Sequence, residues 1–74
     1  MKQMTFGEMK IFTQRYKNIM NLPIDRHHKG VNLAALMDDL EKMFNIPFFH
    51  NEEYEVDHPE LMSFYRTVSE ARSL

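Results

Sequence analysis

The sequence predicts an all-α fold, a small three-helix bundle with an irregular acidic linker before the last helix. Apolar residues recur at helical spacing in three segments, and residues typical of helix ends stand at the boundaries of those segments. With 74 residues, of which 43 % are apolar, the chain is long enough for one core. We therefore expect a single helical domain over residues 1–74, with helices at about 6–20, 33–44 and 58–72.

The first helix is predicted from a capping box and an apolar stripe. Thr5 and Glu8 have the spacing at which each side chain accepts a hydrogen bond from the other residue's backbone N–H. The apolar residues on one face of this helix are Met9, Phe12, Tyr16 and Ile19. Pro23 disfavours helical backbone angles at the residue before it, so we expect the helix to end near residue 20.

The second helix is predicted to begin after a loop. Residues 21–31 contain Pro, Asp and Gly, which is typical of a loop, and Asn32 is a suitable N-cap for a helix that starts at Leu33. The apolar face of this helix is formed by Leu33, Leu36, Met37, Leu40 and Phe44. Asn45 is expected to close the helix in the left-handed conformation, with Pro47 just beyond it.

The last helix is predicted to begin with another cap. Asp57 is a good N-cap, Glu60 stands three residues later, and Pro59 is tolerated in the first turn. In the linker before it, Phe48 and Phe49 are expected to anchor the chain to the core. A short helical turn or a β-like extension is the alternative for this linker.

The linker is also rich in residues that bind metals or basic partners. The groups that capping leaves unexplained are His50, Glu52, Glu53, Glu55 and His58. A zinc site would need three or four such groups to converge, and the two histidines stand at opposite ends of the predicted linker. We therefore favour a solvent-exposed linker, with an acidic docking surface as the alternative and no metal site.

A basic cluster stands in the predicted loop before the second helix: Arg26, His27, His28 and Lys29. Neighbouring histidines point in different directions, and the spacing of a phosphate-binding P-loop is absent. The sequence favours a solvated loop here, with a contact to an anion or a nucleic acid as the alternative.

The charges are divided unevenly along the chain. Residues 1–30 carry six Lys/Arg and two Asp/Glu, whereas residues 31–74 carry three and nine. A uniform nucleic-acid-binding domain lacks this pattern. Residues 33–47 resemble the first helix of a helix-turn-helix only in general character, and the acidic segment after them would repel phosphates. Nucleic acid is therefore the less favoured partner.

Several function classes are excluded by composition. The absence of cysteine excludes disulfides and thiolate metal sites, and it favours a cytoplasmic protein. No apolar run approaches the ~18 residues that span a bilayer, so no membrane partner is expected. A bundle this small leaves little room for a deep pocket of ~300 Å³. We predict no enzymatic activity, no cofactor, no metal and no small-molecule substrate.

Seven methionines and nine aromatic residues are more than three short helices can cover, so an exposed apolar surface is expected at the edge of the first and last helices. The leading hypothesis is a non-enzymatic protein–protein interaction module, an adaptor or regulatory protein that binds another protein or a second copy of itself. The alternative is a nucleic-acid-associated regulatory protein that contacts phosphate through its basic N-terminal half. The predicted partner-binding residues are Arg26, His27, His28, Lys29, Glu52, Glu53, Glu55, Met20 and Met62.

Overall fold

The computed structural model describes residues 3–47, 49 and 51–73, and within them it confirms a small all-α bundle. The four helices are α1 (Phe6–Met20), α2 (Arg26–Phe44), α3 (Glu52–Asp57) and α4 (Pro59–Ser73). Helix α2 packs against both α1 and α4, and the short α3 packs against α4. No strand occurs in the described part of the chain, and none of its helices is long and apolar enough to cross a bilayer.

The first helix forms where its caps predicted it. The Thr5 hydroxyl accepts a 3.1 Å hydrogen bond from the Glu8 N–H, and the Glu8 carboxylate accepts one of 3.0 Å from the Thr5 N–H. This pair is a complete capping box. At the other end, the Asn21 N–H donates to the Lys17 carbonyl oxygen at 3.1 Å. The helix ends before Pro23, as expected.

The second helix begins at Arg26, so the prediction of a loop up to residue 31 with a cap at Asn32 is wrong. Asp25 is the N-cap, because its carboxylate accepts a 2.8 Å hydrogen bond from the His28 N–H. This bond satisfies a backbone donor that has no partner at a helix start. The predicted C-terminus is confirmed, since Asn45 adopts left-handed angles of φ 52° and ψ 46°.

The segment predicted as a linker contains α3. The Asn51 side chain begins this helix by accepting a 2.9 Å hydrogen bond from the Tyr54 N–H. Asp57 is the last residue of α3 and not the N-cap of the next helix, and His58 separates the two helices. Pro59 is the first residue of α4, where its missing N–H leaves no gap in the hydrogen bonding.

The core lies along α2 and also takes residues from α1, α3 and α4. Its buried members are Phe12, Ile19, Leu33, Leu36, Met37, Leu40, Phe44, Tyr54, Leu61 and Val68. Phe49 is 81 % exposed, so its predicted role as an anchor is wrong. Phe48 and His50 lie outside the described residues.

Tyr54 and His58 attach the acidic segment to this core. Their rings stack with centroids 4.1 Å apart and planes inclined by 15°. The Tyr54 hydroxyl also donates a 2.7 Å hydrogen bond to the Phe44 carbonyl oxygen at the end of α2. These contacts fix α3 at the C-terminal end of α2.

Candidate functional site

The nine residues predicted to bind a partner lie in two groups near opposite ends of α2. Arg26, His27, His28 and Lys29 belong to its first turns and not to a loop, and Met20 lies beside them at the end of α1. The acidic residues Glu52, Glu53 and Glu55 are in α3, and Glu55 lines a depression together with Met62 of α4. Met20 and Met62 line different depressions of the surface.

A surface depression at the basic end of α2 unites an apolar floor with two cations. It has a volume of about 220 Å³ and lies where α1 ends, α2 begins and α4 ends. We call it the basic hollow, and it is lined by Met20, Ile24, Arg26, Lys29, Leu33 and Ala71. Leu33 is only 1 % exposed, so the bottom of the hollow is continuous with the core.

The two cations of the basic hollow have different surroundings. The Lys29 ammonium donates a 3.1 Å hydrogen bond to the Met20 carbonyl oxygen, where it stabilises the C-terminal end of α1. Arg26 is exposed, and its guanidinium makes no hydrogen bond or ion pair with the described residues. Arg26 is therefore the cation of the hollow that is available to a partner.

The two histidines next to Arg26 lie on the outer surface of the same helix end. His27 and His28 are exposed and meet edge to face, with ring centroids 5.6 Å apart. The His28 Nδ1 lies 2.7 Å from an oxygen of the Asp25 carboxylate. Because that carboxylate accepts hydrogen bonds from the backbone N–H and the ring of His28, the pKa of Asp25 is lowered from 3.8. Asp25 and His28 thus stabilise the helix start.

The opposite group presents carboxylates around one exposed valine. Glu52, Glu53, Val56 and Asp57 border a shallow surface depression, which we call the acidic face. Val56 is 77 % exposed. The carboxylates of the acidic face make no hydrogen bond or ion pair with the described residues. Glu55 differs from them, because its carboxylate forms an ion pair with the guanidinium of Arg66 in α4, at a distance of 2.7 Å.

A second depression, of about 270 Å³, lies between the acidic segment and α4. We call it the aromatic hollow; its walls include Ile46, Phe49, Tyr54, Met62 and Tyr65. The charged side chains on its wall are Glu55 and Arg66, and they are bonded to each other. This hollow therefore has an apolar surface but no unpaired charge, among the described residues, by which to select an occupant.

The exposed apolar side chains predicted on the first helix are present. Phe6 is 87 % exposed and Ile11 is 66 % exposed. Between α1 and α4, Met9 and Phe64 line a shallow, open groove. The apolar surface is thus spread over several places. Within the described part of the chain, the basic hollow is one place where this surface meets an unpaired cation, Arg26.

The histidines of the acidic segment do not form a metal site in the described part of the chain. His58 is only 2 % exposed, and its Nδ1 lies 3.1 Å from the Tyr54 carbonyl oxygen. A carbonyl oxygen only accepts, so this ring nitrogen is the donor. His58 packs the core. No group of three or more histidine or carboxylate side chains in the described residues is placed to hold a metal ion.

Three apolar residues of the basic hollow, Ile24, Leu33 and Ala71, were not among the predicted partner-binding residues. Ile24 follows Pro23 in the predicted loop, Leu33 is on the predicted apolar face of the second helix, and Ala71 is near the end of the predicted last helix. Sequence periodicity gives no information on which residues of other elements lie beside them in the folded chain. Comparison with protein-family models, curated proteins and solved structures finds no match to this chain.

Proposed function

We propose that the protein is a non-enzymatic interaction module that binds an acidic, partly apolar protein segment in the basic hollow. The observation that carries this proposal is that the apolar floor at Leu33 and the unpaired guanidinium of Arg26 line the same depression. An apolar anchor supplies affinity when it displaces water, and a charge at the rim selects the partner and speeds the encounter. The lack of cysteine supports a reducing compartment such as the cytoplasm as the place where it acts.

The size of the basic hollow supports a protein segment as the occupant. Its volume of about 220 Å³ is below the ~300 Å³ at which drug-sized pockets begin. The hollow is also open to solvent on the side of Arg26, which is exposed. An occupant that inserts one or two side chains and continues along the surface fits this shape better than a fully enclosed small molecule.

A regulatory protein that contacts nucleic acid through the basic half is the alternative. Two cations of that half are engaged within the chain: Arg15 pairs with Asp39 at 2.6 Å, and Lys29 donates to Met20. The remaining described cations, Lys10, Lys17 and Arg26, are exposed. This distribution favours the protein partner. A steep fall of binding with the logarithm of salt concentration would favour the nucleic acid instead, because each phosphate contact releases a counterion.

The test is selection of short peptides from a random display library on the immobilised protein. We expect the selected peptides to be enriched in Asp and Glu next to a branched or aromatic apolar residue. Arg26→Glu should remove their binding, because it reverses the unpaired charge of the hollow. The matched control is Lys10→Glu, which makes the same charge change in the middle of α1 and should leave binding unchanged. Selection without acidic enrichment, or binding that survives Arg26→Glu, would contradict the proposal.

A further inference from the structure

We propose that the segment which occupies the basic hollow is α3 of a second copy of this chain. The proposal rests on the proposed function, since it names the partner of the same hollow. The acidic face is chemically complementary to the basic hollow. The acidic face has carboxylates around an exposed apolar side chain, and the hollow has cations around an apolar floor.

The complementarity is specific in its arrangement. Val56 stands among Glu52, Glu53 and Asp57 on α3 and is 77 % exposed. Inserted over Leu33, a valine side chain would lose its contact with water, and the neighbouring glutamates would then meet Arg26 at the rim. His27 stands next to Arg26 in the first turn of α2 and is exposed. The apolar contact and the charge contact therefore form together.

One chain cannot make this contact with itself. The basic hollow includes Lys29 near the start of α2, and α3 is bonded to Phe44 at its end. A helix rises by 1.5 Å per residue, so these two points are about 22 Å apart along the axis. Tyr54 and the ion pair between Glu55 and Arg66 hold α3 in place. The acidic face therefore meets a basic hollow only on another molecule.

Two copies side by side in antiparallel orientation satisfy both contacts at once. Each acidic face then lies against the basic hollow of the other copy, and the pair is closed by a two-fold axis. A closed, isologous dimer is the commonest assembly of identical chains, whereas a one-sided contact would propagate into open chains. The small size of the chain adds a reason, since domains of this size gain stability from association.

The test is molar mass by light scattering over a wide concentration range at low salt. We expect the wild-type mass to rise from one chain to two with increasing concentration. One variant, Arg26→Glu with His27→Glu, makes both ends of the molecule acidic. The other, Glu52→Lys with Glu53→Lys, makes both ends basic. Each variant alone should dimerise at least roughly tenfold more weakly, because close charge pairs across an interface are lost and repulsion replaces them.

An equimolar mixture of the two variants should recover the dimer, because the acidic face of the first then meets the basic hollow of the second, and the reversed pair is also complementary. The control is Lys10→Glu, at a position in α1 that lines neither the basic hollow nor the acidic face, and it should leave the wild-type mass curve unchanged. A wild-type mass of one chain at every concentration would overturn the inference. So would a dimer that resists both reversals, or a mixture that stays monomeric.

Folding of the variants is checked by circular dichroism. Acidic residues at the start of α2 interact favourably with its dipole, so the first variant should fold at least as well as the wild type. If the lysines unfold α3, Glu52→Gln with Glu53→Gln replaces them and should still weaken the dimer. The two proposals fail separately. A monomeric chain that selects acidic peptides through Arg26 would retain the proposed function and exclude the second copy as the occupant.

Discussion

The Tyr54 hydroxyl donates a buried hydrogen bond of 2.7 Å to the backbone carbonyl oxygen of Phe44. Phe44 is the last residue of α2, where a carbonyl lies beyond the reach of the helix's own hydrogen bonds. The bond therefore joins α3 to the C-terminal end of α2. It holds the acidic face away from the basic hollow, which lies at the other end of the same helix.

Tyr54→Phe should lower the free energy of unfolding by about 0.5–1.5 kcal/mol, because it removes one buried hydrogen bond without removing the ring. Urea unfolding followed by circular dichroism measures the change. The matched control is Tyr16→Phe, which removes the same atom from a half-buried tyrosine whose hydroxyl makes no hydrogen bond to the described residues. Equal effects of the two substitutions would show that the hydrogen bond to Phe44 contributes nothing to the free energy of unfolding.

Leu40→Ala should lower the free energy of unfolding by about 2–5 kcal/mol, because Leu40 is completely buried between the helices and its removal leaves a cavity. A domain of this size rarely has more than ~3–5 kcal/mol of stability, so most of the helical signal should be lost near room temperature. Thermal unfolding by circular dichroism is the measurement. Leu22→Ala, at a position 40 % exposed, should change stability by less than about 1 kcal/mol. A folded, cooperative Leu40→Ala variant would contradict this role of Leu40 in the core.

The elements that the sequence predicted well are those with two agreeing signals. Helix α1 has a capping box, an apolar stripe and a terminating proline, and its observed bounds match. Helix α2 ends where Asn45 and Pro47 predicted. Its start was missed because aspartate is favoured both as an N-cap and in turns, and Asp25 stands among residues that are typical of turns. Only the backbone of the folded chain distinguishes the two uses.

The sequence predicted individual residues of the candidate site, but it did not predict which of them lie together on the surface. Met20, Arg26 and Lys29 were each predicted from the sequence, and the structure brings them together in one hollow. Their meeting with Ala71 depends on where α1 and α4 end in space, which no local pattern specifies. Similarly, Glu55 was grouped with its acidic neighbours, and its pairing with Arg66 is a tertiary contact between α3 and α4.

The ion pair between Arg15 and Asp39 connects α1 to α2 at 2.6 Å, with side chains 40 % and 50 % exposed. Because solvent and salt screen a pair of this exposure, its coupling energy should be only about 0.2–1 kcal/mol. A double-mutant cycle with Arg15→Gln and Asp39→Asn, measured by urea unfolding, gives this energy. It should decrease further when salt is added. A coupling of several kcal/mol, independent of salt, would mean that the pair is far more enclosed than its exposure indicates.

From the lowered pKa of Asp25 we expect the folded state to lose stability in acid. This pKa is lowered from 3.8, chiefly by the hydrogen bond from the His28 N–H. The folded state therefore favours the ionised form. The resulting stabilisation is fully present well above pH 3.8 and is lost as the pH falls through the lower pKa of the folded state. Asp25→Asn keeps a cap oxygen but does not titrate, so its stability should depend less on pH between about 5 and about 3. Identical pH slopes for the two proteins, measured by urea unfolding, would contradict this role.

From the raised pKa of Tyr65 we expect the folded state to lose stability in alkali. Burial, followed by the 3.0 Å hydrogen bond from its hydroxyl to the Glu41 carboxylate, raises the pKa of Tyr65 from 10.0 to about 12. The folded state therefore favours the neutral phenol. This contribution is fully present below pH 10.0 and is lost as the pH rises toward 12 and beyond.

Tyr65→Phe should reduce the fall of stability above pH 10, because phenylalanine has no proton to lose. Glu41→Gln should lower the pKa of Tyr65 only in part, since it removes the neighbouring negative charge and leaves the burial, which is the largest cause. Tyrosinate absorbance, recorded together with the helical signal, follows both changes. If Glu41→Gln returned the pKa of Tyr65 to its ordinary value with the helices intact, the carboxylate and not burial would be the dominant cause.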